Sequence, residues 1–439
     1  MLEKLFGRSK KKGEAPLPDI QFGRYSDNNK TTGKVARWTD ADNHFKDKKI
    51  YECFDAFFDY LKDDGVNNVV HERNQKEGRF ELVQGSKIVR GTYNEDRLVA
   101  EVMLARMPQP SVPVMRRLLE LNFSLYYSRY ALDGDRLCMR FDSPTVSSNP
   151  NKLYYGLKEL ATKADKQDDL LVQDFSVLEK HDTEHINELP ESEKETKYRF
   201  LQKWIGDTLD YVGTLDADKL HGGIAYLLLT LAFRIDYLLV PEGKLMHDIE
   251  KIVDLYFKKD ERPVPEKNRD LVEEFRKIQS KTREEIFACL YRSRHTFSIV
   301  APQNHKTVAD AIYGANQNTA WYRENNYPLI AEKISEYGIA YSQFSYSLPR
   351  PVTELFEIFM RVNYSDYFEA LGFPERYYNK AQGKYFPDHL HEDTQAIVAK
   401  WKDKYPNLLF RSENIRYTSM MDFNQSFTSE IEFMNFENK

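Results

Sequence analysis

Apolar residues recur with a helical period near the start of the chain and with a period of two directly after it. Between Asn43 and Asp64 they follow each other at steps of three and four, which is typical of one face of an amphipathic helix. From Val66 to Arg106 they alternate with polar residues, which predicts short antiparallel strands separated by turns. The last of these strands is expected to bury one apolar set, Leu98, Ala100, Val102 and Leu104.

Prolines and turn residues divide the next part of the chain into a short helix, a hairpin and a long helix. The segment Val114–Phe123 predicts the short helix, and the sequence Asp133–Gly134–Asp135 is a strong turn signal between two strands, 125–132 and 136–141. The long helix is expected to begin at Asn149 or Pro150. The side chains of the short helix that we expect to face inward are Val114, Met115, Leu118 and Leu121.

The pattern and the charge distribution together predict two folded domains. Residues 1–40 are polar, basic and without period, and we interpret them as a flexible basic arm. Residues 41–180 form the predicted α+β domain: a helix, three antiparallel strands, a helix, a hairpin and a helix. Residues 181–197 are rich in acidic side chains and are expected to be a linker. Residues 198–439 predict a mostly α-helical domain that ends in an aromatic tail docked on it.

The predicted order of elements in the first domain resembles that of type III secretion (Tir) chaperones and the related YbjN-like bacterial proteins. The segments that carry this resemblance are 97–104, 114–122, 136–141 and 154–160. Such chaperones are typically small dimers that hold segments of other proteins. The resemblance therefore implies a protein- or peptide-binding domain rather than an enzyme, and it allows a homodimer. The helical half of the chain, which such chaperones lack, carries no resemblance of this kind.

Composition narrows the classes of function. The 439 residues are 41% hydrophobic and 30% charged, which is ordinary for a folded protein of two or three domains. The net charge of −6 argues against binding to nucleic acids, which requires a basic surface. The most apolar stretch, Ile224–Phe233, is followed at once by Arg234 and is too short to cross a membrane. Because the first residues also lack a secretory signal, we expect a cytoplasmic protein without stable membrane insertion.

No familiar catalytic or metal-binding motif stands out. Glycine-rich phosphate loops, the GxSxG nucleophile turn and the HExxH zinc motif are all missing from the sequence. The pair His181 and His185 lies in a polar linker, and His389 and His391 lie where a helix is expected to begin. The three cysteines are far apart in the sequence, which excludes a clustered disulfide framework. We therefore predict no catalytic residue, no cofactor and no metal ion.

Two interpretations of the function stay open at this point. The first is a non-catalytic protein- or peptide-binding protein, either chaperone-like or an adaptor. The second is an enzyme whose active site lies between the two domains. A deep pocket with converging titratable groups would favour the enzyme, and an exposed apolar surface would favour the binding protein. The dispersed residues considered for the enzyme are His221, Arg234, Asp236, His295 and Asp310.

A candidate partner surface follows from the faces of the predicted strands. If Leu137, Met139 and Phe141 face the helices, the side chain of Arg140 points the other way. The same alternation exposes a methionine in the preceding strand and turns a tyrosine and an arginine to the same side. This composition suits an acidic or aromatic segment of a partner, although the helical domain could cover the same face. The predicted partner-binding residues are Met103, Tyr127, Arg129 and Arg140.

Overall fold

The computed structural model describes residues 17–27, 30–181 and 186–437. This part of the chain forms two compact units, here called the sheet unit and the helical unit. The sheet unit consists of Tyr25–Glu188 and Tyr291–Ile299. The helical unit consists of residues 17–24, 189–290 and 300–437. The predicted fold class, an α+β region followed by a mostly helical region, is confirmed.

An antiparallel sheet forms the framework of the sheet unit. Its strands are β1 (Val69–Asn74), β2 (Glu77–Gln84), β3 (Lys87–Tyr93), β4 (Arg97–Arg106), β5 (Arg129–Asp133), β6 (Arg136–Pro144) and β7 (Glu179–Lys180). They lie in the order β1-β2-β3-β4-β6-β5, and β7 pairs with the end of β4. Strands β5 and β6 form the hairpin predicted around Gly134, whose φ of +61° suits a residue without a Cβ. Four strands, rather than three, precede the hairpin.

Helices cover one face of this sheet. The helices of the sheet unit are α1 (Thr32–Lys46), α2 (Ile50–Leu61), α3 (Val112–Asn122) and α4 (Pro150–Asp174). Helices α2 and α4 contact the sheet, α1 contacts both of them, and α3 contacts β5. The side chains predicted to face inward in β4 and β6 are buried, which confirms the alternation read from the sequence: Leu98, Ala100, Val102, Leu104, Leu137, Met139 and Phe141.

The predicted flexible arm is wrong for the residues that the structure describes. From Thr32 onward the chain is helical, and the Thr31 hydroxyl accepts a hydrogen bond from the Lys34 N–H at the start of α1. The single helix expected between Asn43 and Asp64 is instead two helices, which separate at Lys48, where φ is +61°. Only Ala41 is fully buried in α1, so its sequence shows little apolar period. Residues 1–16 lie outside the described chain.

The remainder of the predicted arm belongs to the helical unit. Ile20 is buried in its core, and the Arg24 guanidinium donates two hydrogen bonds to the Asp236 carboxylate, at 2.9 and 2.8 Å. Gly23 has a φ of +72°, and a Cβ at this position would lie 2.7 Å from the ring of Tyr237. The segment 17–24 is therefore held in place by specific contacts, which its polar sequence did not indicate.

Helices alone build almost all of the helical unit. They are α5 (Glu191–Gly213), α6 (His221–Leu239), α7 (Gly243–Phe257), α8 (Val264–Gln279), α9 (Arg283–Phe287), α10 (His305–Glu324), α11 (Pro328–Ser345), α12 (Arg350–Asn363), α13 (Ser365–Ala370), α14 (Pro387–Trp401) and α15 (Met420–Glu432). Of the helices described, α6 is the one long and apolar enough to cross a membrane, and 89% of its apolar window is buried inside this protein. This burial identifies α6 as a core helix.

The acidic segment is structured where it was expected to be a linker. The division between the units falls between Glu188 and Leu189, but α5 begins at Glu191 and buries both Glu193 and Lys197. Residues 182–185 lie outside the described chain. The predicted aromatic tail also proves to be regular, because α15 packs against α10, α11 and α12 with three side chains fully buried, Phe423, Phe427 and Ile431.

A short segment from the second half of the sequence completes the sheet unit. Residues Tyr291 and Arg292 form β9, which pairs with β8 (Asn187–Glu188). The Thr296 hydroxyl donates to the main-chain carbonyls of Asn68, directly before β1, and Val83, in β2. The Phe297 ring is fully buried in the core beside Tyr154. The predicted continuous helical domain from 198 onward is therefore wrong for residues 291–299, because this segment has too few residues to show a period.

Three buried lysines close the carboxyl ends of helices. Lys30 donates to the last carbonyl of α2 at 3.1 Å, and Lys197 donates to the last carbonyl of α6 at 2.9 Å. Lys267 donates to two carbonyl oxygens at the end of α7, at 3.1 and 2.7 Å. These carbonyls have no partner within their own helices, so the ammonium groups satisfy them and oppose the negative end of each helix dipole.

Candidate functional site

The sheet face away from the helices carries charged side chains. One row crosses five neighbouring strands in register, from β2 to β5, and is called the charge row here: Glu81, Arg90, Glu101, Arg140 and Arg129. The charges alternate along the row until β6 and β5, where two arginines stand directly opposite each other. Like charges in this relation repel, so the arrangement needs a nearby anion to balance it.

The two arginines at the end of the charge row differ in their partners. Arg129 forms an ion pair with Asp142, which also binds Arg97. The carboxylate of Glu101 accepts from Arg136 at 2.8 Å. In contrast, the buried Nε of Arg140 has no hydrogen-bond partner among the residues that the structure describes. Arg140 is only partly buried and lies next to a second cation, so the exposed part of its guanidinium is suited to donate to a carboxylate of a partner.

The structure brings three of the four predicted partner-binding residues onto this face. Arg129 and Arg140 are register partners, and Met103 lies two residues beyond Glu101 on the same side of β4. Tyr127 was placed in a strand with Arg129, but β5 begins only at Arg129, so the predicted common face for these two residues is wrong. Residues 125–128 form a turn instead, and the side chain of Tyr127 is exposed.

A carboxylate from α4 explains this turn. Glu159 accepts hydrogen bonds from the main-chain N–H groups of Tyr126, Tyr127 and Ser128 at 2.8, 2.9 and 2.8 Å. The Ser128 hydroxyl donates to the same carboxylate. Burial raises the pKa of Glu159, but the hydrogen bonds from Ser128, Tyr126 and Tyr127 outweigh it, so the pKa lies below its ordinary value. The turn is therefore anchored to α4 and presents two tyrosines to the solvent.

Helix α3 has two apolar faces, of which one is exposed. Val114 and Leu118 are buried in the core of the sheet unit. Four other residues, here called the α3 stripe, follow each other at steps of three and four and are exposed by 69, 43, 65 and 94%: Val112, Met115, Leu119 and Phe123. The prediction that Met115 faces inward is therefore wrong. Because both faces are apolar, the periodicity could not tell which of them the core would take.

The surroundings of the α3 stripe add further exposed apolar area. Tyr126, in the turn after α3, is 92% exposed, and Leu132 is exposed on the edge strand β5, which α3 contacts. The Asn122 side chain accepts a hydrogen bond from the Tyr130 N–H at 2.8 Å. It thus occupies a main-chain donor of the edge strand and hinders pairing with a further strand. The side chains of α3, rather than the strand edge, are what this region offers to a partner.

The residues considered for an enzyme each have their own partners. Arg234 contacts Glu336 at 3.2 Å, Asp236 contacts Arg24, and Asp310 contacts Lys306 on the surface of α10. The ring of His221 contacts a main-chain carbonyl at the start of α6. His295 belongs to the sheet unit and contacts side chains of that unit. Among the residues described, these five do not come together in either unit.

A buried ionic cluster lies in the core of the helical unit. Tyr364 donates to the Glu336 carboxylate at 2.7 and 2.6 Å, and Lys333 and Arg234 lie 3.3 and 3.2 Å from it. Burial raises the pKa of Glu336, but the charges of Arg234 and Lys333 outweigh it and lower the pKa overall. With Glu336 fully buried, this cluster joins α6, α11 and α12.

A shallow pocket of about 580 Å³ lies at one end of the sheet. Its arginines are already paired: Arg73 with Asp55, Arg79 with Glu72, and Arg97 with Asp142. The pocket therefore lacks a free cation for an anionic ligand.

The structure describes only one of the two histidine pairs completely, His389 and His391. Of the segment that contains the first pair, the structure describes His181, and residues 182–185 lie outside the described chain. On α14, His389 contacts a main-chain carbonyl and His391 contacts the Ser412 hydroxyl at 2.5 Å. Over the ranges that the structure describes, no group of three or more His, Cys, Asp or Glu side chains could hold a metal ion.

Comparison with known proteins adds no relative. No protein-family model matches this chain, and no curated protein is significantly similar to it in sequence. The resemblance of the first domain to the type III secretion chaperones thus stays a prediction.

Proposed function

We propose that this protein is a non-catalytic binding protein of the cytoplasm, chaperone-like or an adaptor, which holds a protein or peptide segment on its sheet unit. The observation that carries the proposal is the α3 stripe. Three turns of a helix that already contributes one face to the core present a second, continuous apolar face to the solvent. Contiguous exposed apolar surface of this kind is typical of sites where proteins bind each other.

The end of the charge row supports the same proposal. Arg129 and Arg140 are neighbouring cations, and the Nε of Arg140 lacks a partner in the described chain. Arginine is enriched among the residues that contribute most to protein interfaces, because its planar group can bind carboxylates and stack on aromatic rings. Together with Met103 and Tyr127, these arginines form a second contact region of the sheet unit in this proposal.

The experiment compares capture of a partner from native cell extract by the wild-type protein and by Leu119→Asp. Leu119 is exposed, so the substitution should change stability by no more than about 0.5 kcal/mol while abolishing capture. The matched control is Leu409→Asp, which alters an exposed leucine of the helical unit and should retain capture. Equal capture by both variants would contradict the assignment of the α3 stripe.

A second pair of variants tests the charge row. Arg129→Ala combined with Arg140→Ala is expected to leave the melting temperature nearly unchanged, because Arg129 is exposed and Arg140 has an unsatisfied Nε. Capture of the partner should be lost. A large loss of stability with capture unaffected would show that these arginines serve the fold alone.

A further inference from the structure

A buried arginine of the helical unit lacks a hydrogen-bond acceptor in the described chain. Arg361, near the end of α12, is 6% exposed, and none of the residues that the structure describes accepts a hydrogen bond from its guanidinium. Arg234 is equally buried but binds the Glu336 carboxylate at 3.2 Å. The small exposed area of Arg361 includes its guanidinium nitrogens, so a small solute can contact them. Donors without an acceptor are costly to bury, which makes Arg361 a candidate binding residue.

Aromatic rings surround this guanidinium. Its central carbon lies 5.1 Å from the ring centroids of both Phe373 and Tyr377, and 5.9 Å from that of Phe368. The attraction between a cation and an aromatic ring offsets part of the cost of burying the charge. Rings provide no oxygen for the N–H donors, so these contacts do not replace an acceptor. The three rings are themselves buried, which makes the surroundings of Arg361 apolar.

Glu357 is the carboxyl group most easily expected to pair with Arg361, because it lies four residues earlier on α12. Within the described chain, however, these two groups form no ion pair, and the buried Oε1 of Glu357 has no hydrogen-bond partner. Burial raises the pKa of Glu357 to about 7, and the charge of Arg361 only partly opposes this. At pH 7 this carboxyl is therefore protonated in about half of the molecules, and there it does not balance the arginine.

Two further buried carboxylates of this region have their own cations. The pairs are Glu354 with Lys400, and Asp393 with Arg376. Glu392, which also contacts Arg376, is exposed, so solvent screens its charge. Arg361 is thus left without a counter-charge whenever Glu357 is protonated.

We infer that Arg361 binds a small apolar monocarboxylate, whose oxygens accept from the guanidinium and whose hydrocarbon part contacts the surrounding rings. The planar guanidinium fits a carboxylate with two parallel hydrogen bonds. One negative charge matches the one cation that lacks a partner in the described chain. The second charge of a dianion such as phosphate would be repelled by Glu354 and Glu357. This site lies in the helical unit, so the inference goes beyond the proposed function, which concerns the sheet unit.

The test measures binding of butyrate to the full-length protein by saturation-transfer NMR. Butylamine is the control, because it has the same hydrocarbon chain and the opposite charge. At pH 6, butyrate should bind about tenfold more tightly than butylamine, and an equal concentration of sulfate, a dianion, should not displace it. Equal affinities for butyrate and butylamine, no binding of butyrate, or its displacement by sulfate would overturn the inference.

Substitutions at Arg361 locate the site. Arg361→Met should weaken butyrate binding about tenfold, and Arg361→Lys should weaken it clearly as well, because an ammonium group keeps the charge but loses the planar fork. The matched control is Arg276→Met, which alters an exposed arginine of α8 and should bind butyrate like wild type. Arg361→Met should change the melting temperature little, because it leaves no buried carboxylate without its cation, whereas Arg234→Met should lower it strongly. Wild-type affinity in both Arg361 variants would contradict the assignment.

The pH dependence shows whether the ligand lies beside Glu357. The groups that act on Glu357 are Arg361 and Glu354 of α12, Lys400 of α14 and the Tyr237 hydroxyl of α6. A bound carboxylate would raise the pKa of Glu357 further, so butyrate should bind about fivefold more tightly at pH 6 than at pH 8. In Glu357→Gln this dependence should disappear. A wild-type affinity that is equal at both pH values would place the ligand elsewhere and overturn the inference.

Ordered water is the other acceptor that could satisfy the guanidinium. A crystal structure determined with butyrate in the medium distinguishes the two. A carboxylate bound to Arg361 would support the inference, and water molecules alone at the same nitrogens would refute it.

Discussion

Replacing Phe297 with alanine is expected to unfold the sheet unit more readily, although this residue lies in the second half of the sequence. Its ring is fully buried among residues of that unit, and it packs edge-on against Tyr154 at a distance of 5.6 Å between ring centroids. The substitution removes a whole aromatic side chain from a close-packed core and leaves a cavity. The expected loss of unfolding free energy is about 3–5 kcal/mol.

Hydrogen exchange followed by mass spectrometry can assign this loss to one unit. In Phe297→Ala, the amides of β2 and α4 should exchange faster at neutral pH, while those of α6 and α11 should keep their protection. The matched control is Phe123→Ala, which removes the same side chain from a site that is 94% exposed and should cost no more than about 0.5 kcal/mol. A loss below about 1 kcal/mol, or faster exchange confined to the helical unit, would refute the assignment of residues 291–299 to the sheet unit.

Three further predictions follow from single side chains. Lys197→Met should lower the unfolding free energy of the helical unit by about 3–5 kcal/mol in urea titrations, because the buried Glu193 loses the cation of this ion pair. Adding Glu193→Leu to the same chain should restore part of this loss. The pKa of Glu159 lies below its ordinary value of 4.5, so its carboxylate stabilises the fold above that pH and the contribution is lost as the pH falls through the lowered pKa. Glu159→Gln should therefore remove part of the acid sensitivity and speed amide exchange in the turn after α3; unchanged exchange there would contradict the anchoring. Burial raises the pKa of Glu357 from 4.5 to about 7, so the stability of the protein should fall as the pH rises between these two values. Glu357→Gln should therefore raise the melting temperature at pH 8 but hardly at pH 5. An equal effect at both pH values would show that this carboxyl does not titrate in that range.

The parts of the fold that depend on local pattern could be predicted from the sequence. Strands β3 and β4 lie within the range of alternation predicted from Val66 to Arg106, because alternation along a strand indicates which face the core covers. The turn at Gly134 was found for the same local reason. These features need no knowledge of residues far away in the chain.

The parts that depend on distant residues could not be predicted in this way. Phe297 lies in a segment too short to have a period, and its burial depends on Tyr154 and other residues far away in the sequence. Tyr127 lies in a turn rather than in the expected strand, because its main-chain N–H binds the carboxylate of Glu159 on α4. Met115 lies on a helix with two apolar faces, so only the packing of α3 against the sheet shows which face stays exposed. In each case a contact distant in sequence outweighs the local preference.

The exchange of short segments between the two halves of the sequence has a consequence for synthesis on the ribosome. The core of the sheet unit is still incomplete when Glu188 has been translated. Phe297, which is buried in that core, follows only after helices α5 to α9 of the helical unit. Conversely, the segment around Arg24 is made first and has to wait for Asp236 before it finds its partner. Neither unit can therefore be completed in the order of translation. The sheet unit exposes apolar surface until residue 299 has been made, and the helical unit does so until its last helix, α15, has been made.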